Sequence, residues 1–161
     1  NVSNVMAATE WGIDNEKTTR FEAKVVDVLC ELTGDCPKAC GAGKRQLGLL
    51  KEDGELVLAV KNVDQFAGTV EDLIAFCGEK VIADGLIIEN PKAKLFALQF
   101  VRKAPDGKWL QANQFYQKWL RENNVKPGSA EAKAWFRHDA LVKQIIAEDG
   151  VFGVPGLVPS E

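Results

Sequence analysis

The chain has 161 residues, of which 46% are hydrophobic, and this is enough for the core of one domain with an appendage. A formal net charge of -3 is a poor match for the phosphates of nucleic acid and gives no attraction to anionic membranes. These charges disfavour a nucleic-acid partner, although a local basic patch is compatible with them. No apolar run reaches the roughly 18 residues that a membrane-spanning helix needs, so we predict no membrane span.

Three regions of the chain differ in composition. Residues 1–20 are polar and predict an N-terminal extension laid over another part of the molecule. Residues 21–104 carry short β-branched runs separated by turn residues, which is typical of strands, and residues 105–161 predict a helical C-terminal extension with a Gly/Pro tail. The start at Asn1 is compatible with removal of an export signal, or with an arbitrary starting point. The apolar anchors of the first region are Val2, Val5, Met6, Trp11 and Ile13.

The first three predicted strands lie on either side of a cysteine-containing loop. Residues 21–32 alternate in polarity, so we predict one strand with Cys30 on its inward face. Residues 46–51 and 55–61 flank a Gly-containing connection at Gly54 and predict a hairpin.

A short helix and two more strands complete the β-rich region. Thr69 followed three residues later by Asp72 resembles a capping box, and predicts a helix that ends before Gly78. Residues 80–89 and 94–102 predict two further strands. This order of elements is that of an OB-fold, a five-stranded Greek-key barrel with a helix between its third and fourth strands. The predicted fold class is therefore an all-β core with α additions (α+β), as an OB-fold barrel with a helical C-terminal extension.

The stretch of residues 25–62 resembles a group of small exported OB-fold proteins. In that group the first strand ends in Cys, a Cys-x3-Cys loop follows, and a Gly-Leu-Leu-x-x-Asp-Gly hairpin comes next. The matching residues are Cys30, Cys36, Cys40 and then Gly48-Leu49-Leu50-Lys51-Glu52-Asp53-Gly54. The resemblance implies an OB-fold and a periplasmic or otherwise extracytoplasmic location.

The four cysteines are most simply explained as two disulfides, for which three connectivities exist. Cys30 on an inward strand face and Cys77 on the inward face of the short helix would meet through the core. Cys36 and Cys40 would then bond to each other within the loop. The competing arrangement pairs Cys30 with Cys36 or with Cys40.

A metal site is the alternative use of the same cysteines. Cys36 and Cys40, four residues apart on one helical turn, could ligate a soft ion such as Cu(I). Their pentapeptide is similar to the Cys-Pro-x-x-Cys loop of Sco-type copper chaperones, which implies copper. The basic side chains of Lys38, Lys44 and Arg45 in the loop would also lower thiol pKa values and favour a reactive dithiol. The alternative predicts a copper or iron–sulfur site with ligands from Cys30, Cys36, Cys40, Cys77 and His138.

The single histidine lies in a predicted helix over residues 130–148, with Ser129 as its cap. His138 falls on an apolar stripe with Trp135 and Leu141, so we predict a hydrogen-bonded packing role for it. No Ser-His-Asp set, His-Glu-x-x-His motif or phosphate-binding glycine loop is present in the sequence. The sequence therefore offers no complete active site, which favours a non-catalytic protein and leaves enzyme activity undecided.

Two further features complete the C-terminal region. Residues 110–123 predict a helix with a packing stripe that contains Phe115 and Trp119. The tail at residues 150–159 is apolar but broken by Gly and Pro, so we predict that it lies in a groove of its own barrel or of a partner subunit.

Together these features predict an exported, non-catalytic binding or accessory protein stabilised by two disulfides. It would need no cofactor and would bind a protein partner, such as a redox complex, through its N- and C-terminal extensions. Thiolate-based metal binding or electron transfer is the alternative. Binding of single-stranded nucleic acid would follow from fold analogy alone.

Overall fold

The computed structural model describes residues 7–60 and 69–157. It contains two compact units, the first of which runs to Tyr116 while the second begins at Gln117. Some positions used in the sequence predictions lie outside the described residues: Val2, Val5, Met6, Lys61, Val158 and Pro159.

The first unit is built on six described strands. Antiparallel ladders join them in the order β3-β2-β1-β4-β5-β6, and a parallel pairing between β3 and β5 closes the first five into a barrel. This is the OB-fold topology, so the predicted fold class is confirmed. The strands are β1 (Glu16–Asp27), β2 (Leu47–Leu50), β3 (Leu56–Val60), β4 (Lys80–Asn90), β5 (Ala93–Lys103) and β6 (Leu110–Gln111).

Alternate side chains of the five barrel strands fill its interior, as the period of two of a strand requires. Phe21 packs edge-on against Phe96 with ring centroids 4.9 Å apart. The β4–β5 register shifts at the bulge between Asp84 and Gly85. The buried interior positions on the strands are Ala23, Val25, Leu47, Leu49, Val57, Ala59, Val81, Ala83, Phe96, Leu98 and Val101.

The first strand ends earlier than its polarity pattern predicts. β1 stops at Asp27, whose carboxylate accepts hydrogen bonds from the backbone N–H groups of Leu29 (2.9 Å) and Cys30 (3.2 Å). These bonds cap helix α1 (Val28–Thr33), which Gly34 ends in the left-handed conformation. The predicted strand over residues 21–32 is therefore wrong beyond Asp27, and Cys30 lies on a helix instead of an inward strand face.

The short helix predicted after Thr69 is confirmed as α2 (Val70–Leu73), which continues into a 3₁₀ turn at Ile74–Phe76. Leu73 is fully buried in the barrel core. The capping-box prediction is wrong, because the Thr69 hydroxyl donates to the carbonyl of Ala59 (3.2 Å) instead of capping the helix.

The segment before β1 is held on the barrel by hydrogen bonds. The Glu16 carboxylate accepts from the N–H groups of Trp11, Gly12 and Ile13 at 3.1, 2.6 and 3.2 Å. The Thr9 N–H donates to the side-chain oxygen of Gln99 (2.9 Å), whose amide donates back to the Thr9 carbonyl (2.7 Å). This part of the predicted extension therefore lies against β5.

Charged side chains cluster at the β2–β3 hairpin and connect it to β5. The Glu55 carboxylate accepts from the Lys51 ammonium at 2.6 Å and also pairs with Lys94. These hydrogen bonds, from Lys51 first and Lys94 second, hold the pKa of Glu55 below its usual value. The pKa of Lys94 is raised by the same contact.

Replacement of Glu55 with glutamine is expected to lower the free energy of unfolding at neutral pH. Because the folded-state pKa of Glu55 is depressed, its contribution is present above the unfolded pKa and is lost as pH falls through the folded pKa. The deficit of Glu55→Gln in urea unfolding should therefore be constant from neutral pH down to the unfolded pKa of about 4.3, and should shrink as the pH falls below that value. Glu52→Gln, which removes an exposed charge from the same turn, is the control. A deficit that persists at low pH would contradict the ionic origin.

The helices after the barrel differ from the predicted ones. The predicted helix over residues 110–123 is shorter, because Leu110–Gln111 form β6. The predicted continuous helix over residues 130–148 is wrong, since the chain breaks at Ala134 and Asp139. The helices are α3 (Gln114–Glu122), α4 (Ala130–Lys133), α5 (Trp135–His138) and α6 (Ala140–Asp149).

Asp139 explains the second of these breaks. Its carboxylate accepts from the Val142 N–H (2.9 Å), which caps α6, and from the indole N–H of Trp119 (2.6 Å). Trp119 also packs against Trp135, with ring centroids 5.7 Å apart. His138 ends α5 and is exposed, so its predicted place on a buried apolar stripe is wrong.

Candidate binding surfaces

The four predicted disulfide cysteines form two bonds, Cys30–Cys36 and Cys40–Cys77, with Cα atoms 4.5 and 6.1 Å apart. The predicted Cys30–Cys77 pairing is wrong, because α1 places Cys30 in the loop between β1 and β2. The competing pairing of Cys30 with Cys36 is confirmed. Cys77 follows the 3₁₀ turn and pairs with Val25 of β1 through backbone hydrogen bonding, as an isolated β-bridge. The Cys40–Cys77 disulfide therefore fastens the loop to the barrel.

In this oxidised state the cysteines offer no thiolate, which is the form that binds a metal ion. Within residues 7–60 and 69–157, no three His, Cys, Asp or Glu side chains converge on a site that could hold a metal ion. The copper or iron–sulfur alternative, with Cys30, Cys36, Cys40, Cys77 and His138 as ligands, stays a prediction for a reduced form of the protein.

Arg45 anchors the loop between β1 and β2 instead of facing the cysteines as a free cation. Its guanidinium donates to the carbonyl and carboxylate of Asp35, both at 2.8 Å. The guanidinium nitrogen that donates to the Asp35 carbonyl also lies 3.7 Å from the carboxylate of Asp27. These contacts fix the loop in place, and they occupy the arginine on which the reactive-dithiol hypothesis partly depended.

The outward surface of β2 and β3 is aliphatic. OB-folds that bind single strands usually place aromatic side chains on this surface for base stacking. Here the outward positions in the described part of both strands are Gly48, Leu50, Leu56, Leu58 and Val60. This composition gives no support to nucleic-acid binding.

A second surface lies outside β1, β4 and β5. The indole of Trp109 makes cation–π contacts with the guanidinium groups of both Arg20 and Arg102, whose central carbons lie 4.9 and 4.6 Å from the ring centroid. Arg20 donates from Nε to the buried carboxylate of Asp84 (2.9 Å). Sequence reasoning missed this group, because its members are distant along the chain and come together only through the pairing of β4 with β1 and with β5.

A third surface is the turn formed by residues 150–157, which we call the C-terminal turn. The Val151 N–H donates to the Leu157 carbonyl (3.1 Å), and the Leu157 N–H donates to the Val154 carbonyl (3.0 Å). Phe152 has a positive φ of 57° and is 91% exposed. The prediction that this tail lies in a groove, either of its own barrel or of a partner subunit, stays a prediction.

The chain matches no protein-family model, no curated protein and no solved structure at a level that would show kinship. Among the helices that the structure describes, none combines the length and the apolar character needed to cross a lipid bilayer.

Proposed function

We propose that the protein is an exported, non-catalytic binding module whose C-terminal turn inserts Phe152 into an apolar pocket of a protein partner. The observation that carries this proposal is the 91% exposure of a phenyl ring on a closed, hydrogen-bonded turn. Single exposed leucines are ordinary on protein surfaces, but an almost fully exposed aromatic ring is a frequent anchor of interfaces.

The turn holds its aromatic ring in advance of binding. Gly150 has a φ of 79°, and a Cβ atom placed there would lie 1.8 Å from the Val154 carbonyl oxygen, so the chain folds back on itself at this glycine. The Val154 N–H also donates to the Val151 carbonyl (3.1 Å). A side chain presented on a fixed backbone loses less conformational entropy on binding, and this supports its use as an anchor.

The helix before the turn adds apolar area and sets the charge around it. Leu141 and Ile145, one helical turn apart on α6, are 63% and 47% exposed. Glu148 and Asp149 end the same helix and are exposed, whereas residues 150–157 carry no charge. The partner's pocket should therefore be apolar at its centre and basic at its rim.

Export is part of the proposal because disulfides persist in oxidising compartments. Two bonds join all four cysteines of this chain. A redox complex as the partner stays a prediction that rests on the cysteines alone. Of the two predicted extensions, the C-terminal one supports partner binding better, because residues 8–13 already hydrogen-bond to their own barrel.

Photo-cross-linking from position 152 tests the proposed function. A photoreactive phenylalanine analogue replaces Phe152 in the full chain, and irradiation is performed in an extract of the source cells. Excess unlabelled wild type should abolish the cross-linked product, whereas unlabelled Phe152→Ser should compete at least about thirtyfold more weakly, as loss of an interface anchor predicts.

Leu95→Ser, an exposed apolar position on β5, is the matched competitor and should compete like the wild type. Equal competition by Phe152→Ser and the wild type would overturn the proposal. A cross-link only to a second copy of this chain would also overturn it, because the proposed partner is a different protein.

A further inference from the structure

Arg102 on β5 carries a positive charge that has no counter-charge in the described part of the chain. Its Nε atom is buried and finds no hydrogen-bond acceptor among the described residues. No carboxylate in residues 7–60 or 69–157 lies within ion-pair distance of its guanidinium, whose described contact is the stacking on Trp109. Buried donors are normally satisfied, so this arginine requires an explanation.

Two strands hold this guanidinium in a fixed position. Arg102 is paired with Ile82 in the β4–β5 ladder, and Trp109 directly precedes β6, which pairs with β5 through Val101 and Leu110. The indole lies 4.6 Å from the guanidinium carbon. Stacking on an indole restricts the guanidinium without using its N–H donors, so those of the two terminal nitrogens remain available to a ligand.

Arg20, which also contacts this indole, provides the contrast. It donates to the carboxylate of Asp84, which is 4% exposed, and is thereby neutralised. Arg102 is half-buried and, apart from Nε, its guanidinium nitrogens are not among the buried unpaired atoms. Trp109 thus contacts one neutralised and one uncompensated guanidinium.

We propose that Arg102, stacked on Trp109, is a recognition site for a single carboxylate group. A carboxylate matches the two-pronged geometry of a guanidinium and its single charge. Desolvation of Nε strengthens the attraction, because the charge of Arg102 is screened less than that of a fully solvated arginine.

The surroundings favour a carboxylate over a phosphate dianion. Asp84 lies two residues along β4 from Ile82, the cross-strand partner of Arg102, and faces the same side of the strand. Its negative charge and the neutralisation of Arg20 leave one positive charge for a ligand. A dianion is normally held by more than one cation, so it would be bound less well here.

Arginine side-chain NMR of the full chain provides the test. The chain has five arginines, so the Nε–Hε signals are few, and that of Arg102 is assigned by its loss in Arg102→Lys or Arg102→Gln. Sodium acetate, a hexaglutamate peptide and inorganic phosphate are titrated against sodium chloride at matched ionic strength. Acetate should shift the Arg102 signal saturably and leave the Arg20 signal unchanged. Trp109→Leu should weaken acetate binding by about two- to fivefold through loss of the stacking.

The probes separate the sources of the carboxylate. If both acetate and the peptide shift the Arg102 signal saturably, the site accepts carboxylate side chains of a protein. If acetate alone does so, the site accepts small free acids. Saturation by phosphate alone, a shift equal to that caused by chloride, or an Arg102 signal that no anion changes would each overturn the proposal. None of these measurements depends on Phe152.

Discussion

Gly85→Ala is expected to destabilise the barrel by about 3 kcal/mol or more, or to prevent folding. A Cβ atom at this position would lie 2.1 Å from the carbonyl oxygen of Ala97 and 2.8 Å from the ring of Phe96. The first contact is with the backbone of β5 and the second is with a fully buried ring, so neither can move without loss of ladder pairing or core packing. Urea-induced unfolding followed by circular dichroism measures the loss.

Gly48→Ala is the matched control, because Gly48 is also a barrel-strand glycine with a close neighbour. There the closest atom to the added Cβ would be a side-chain methyl of Val28 on α1 at 2.8 Å, and the nearest backbone atom would be the Val57 carbonyl oxygen at 3.3 Å, much farther than the 2.1 Å contact at Gly85. The expected cost is below about 1.5 kcal/mol. Equal costs for the two substitutions would show that the backbone contact at Gly85 is not the deciding one.

Removal of the Cys40–Cys77 bond by alanine at both positions is expected to cost about 4 kcal/mol, given the 37-residue separation of its cysteines. The Cys30–Cys36 bond spans 6 residues, and its removal is expected to cost about 2 kcal/mol. The difference arises because a longer loop loses more unfolded-state entropy when it is closed. Free energies of unfolding of the two double variants provide the comparison.

Thiol titration of the denatured wild-type protein is the accompanying control and should detect no free thiol. If removal of the Cys30–Cys36 bond proves more costly than removal of the Cys40–Cys77 bond, the entropic account fails. Four free thiols together with bound metal would instead favour the copper or iron–sulfur alternative over disulfides.

The barrel could be predicted from the sequence because its signals are local and agree with one another. Inward residues alternate along β2 and β3, and Gly54 marks their turn. The strands β4 and β5 carry long apolar runs, so an error of one residue at an end does not change their prediction as strands. These patterns are visible in the sequence because burial of one face of each strand is the dominant favourable contribution to the fold.

The predicted ends of helices and strands were wrong where a side chain that fits the periodic pattern instead accepts a hydrogen bond from the backbone. Asp27 continues the alternation of β1, yet it accepts hydrogen bonds from the backbone and starts a helix. Asp139 likewise looks like a helical residue but caps α6. Both are short acidic side chains that compete with regular backbone hydrogen bonding, and a periodicity pattern does not register this competition.

The candidate binding surfaces depend on contacts that sequence spacing does not encode. Arg20 and Arg102 meet on Trp109 only because the barrel register brings distant strands together. Cys30 pairs with Cys36 because residues 28–33 form helix α1, whereas their alternating polarity predicts a strand. The exposure of Phe152 was equally hidden, because an apolar tail residue suggests burial.

The sulfur bond between Cys40 and Cys77 encloses residues 41–76 in a covalent ring. A protease that cuts one peptide bond anywhere in that ring produces a nicked molecule whose two pieces remain joined. Such a molecule migrates as one species on a non-reducing gel and separates into fragments once a reductant is added. In a compartment rich in proteases, a single cut of this kind therefore leaves both pieces in one molecule as long as the disulfide stays oxidised.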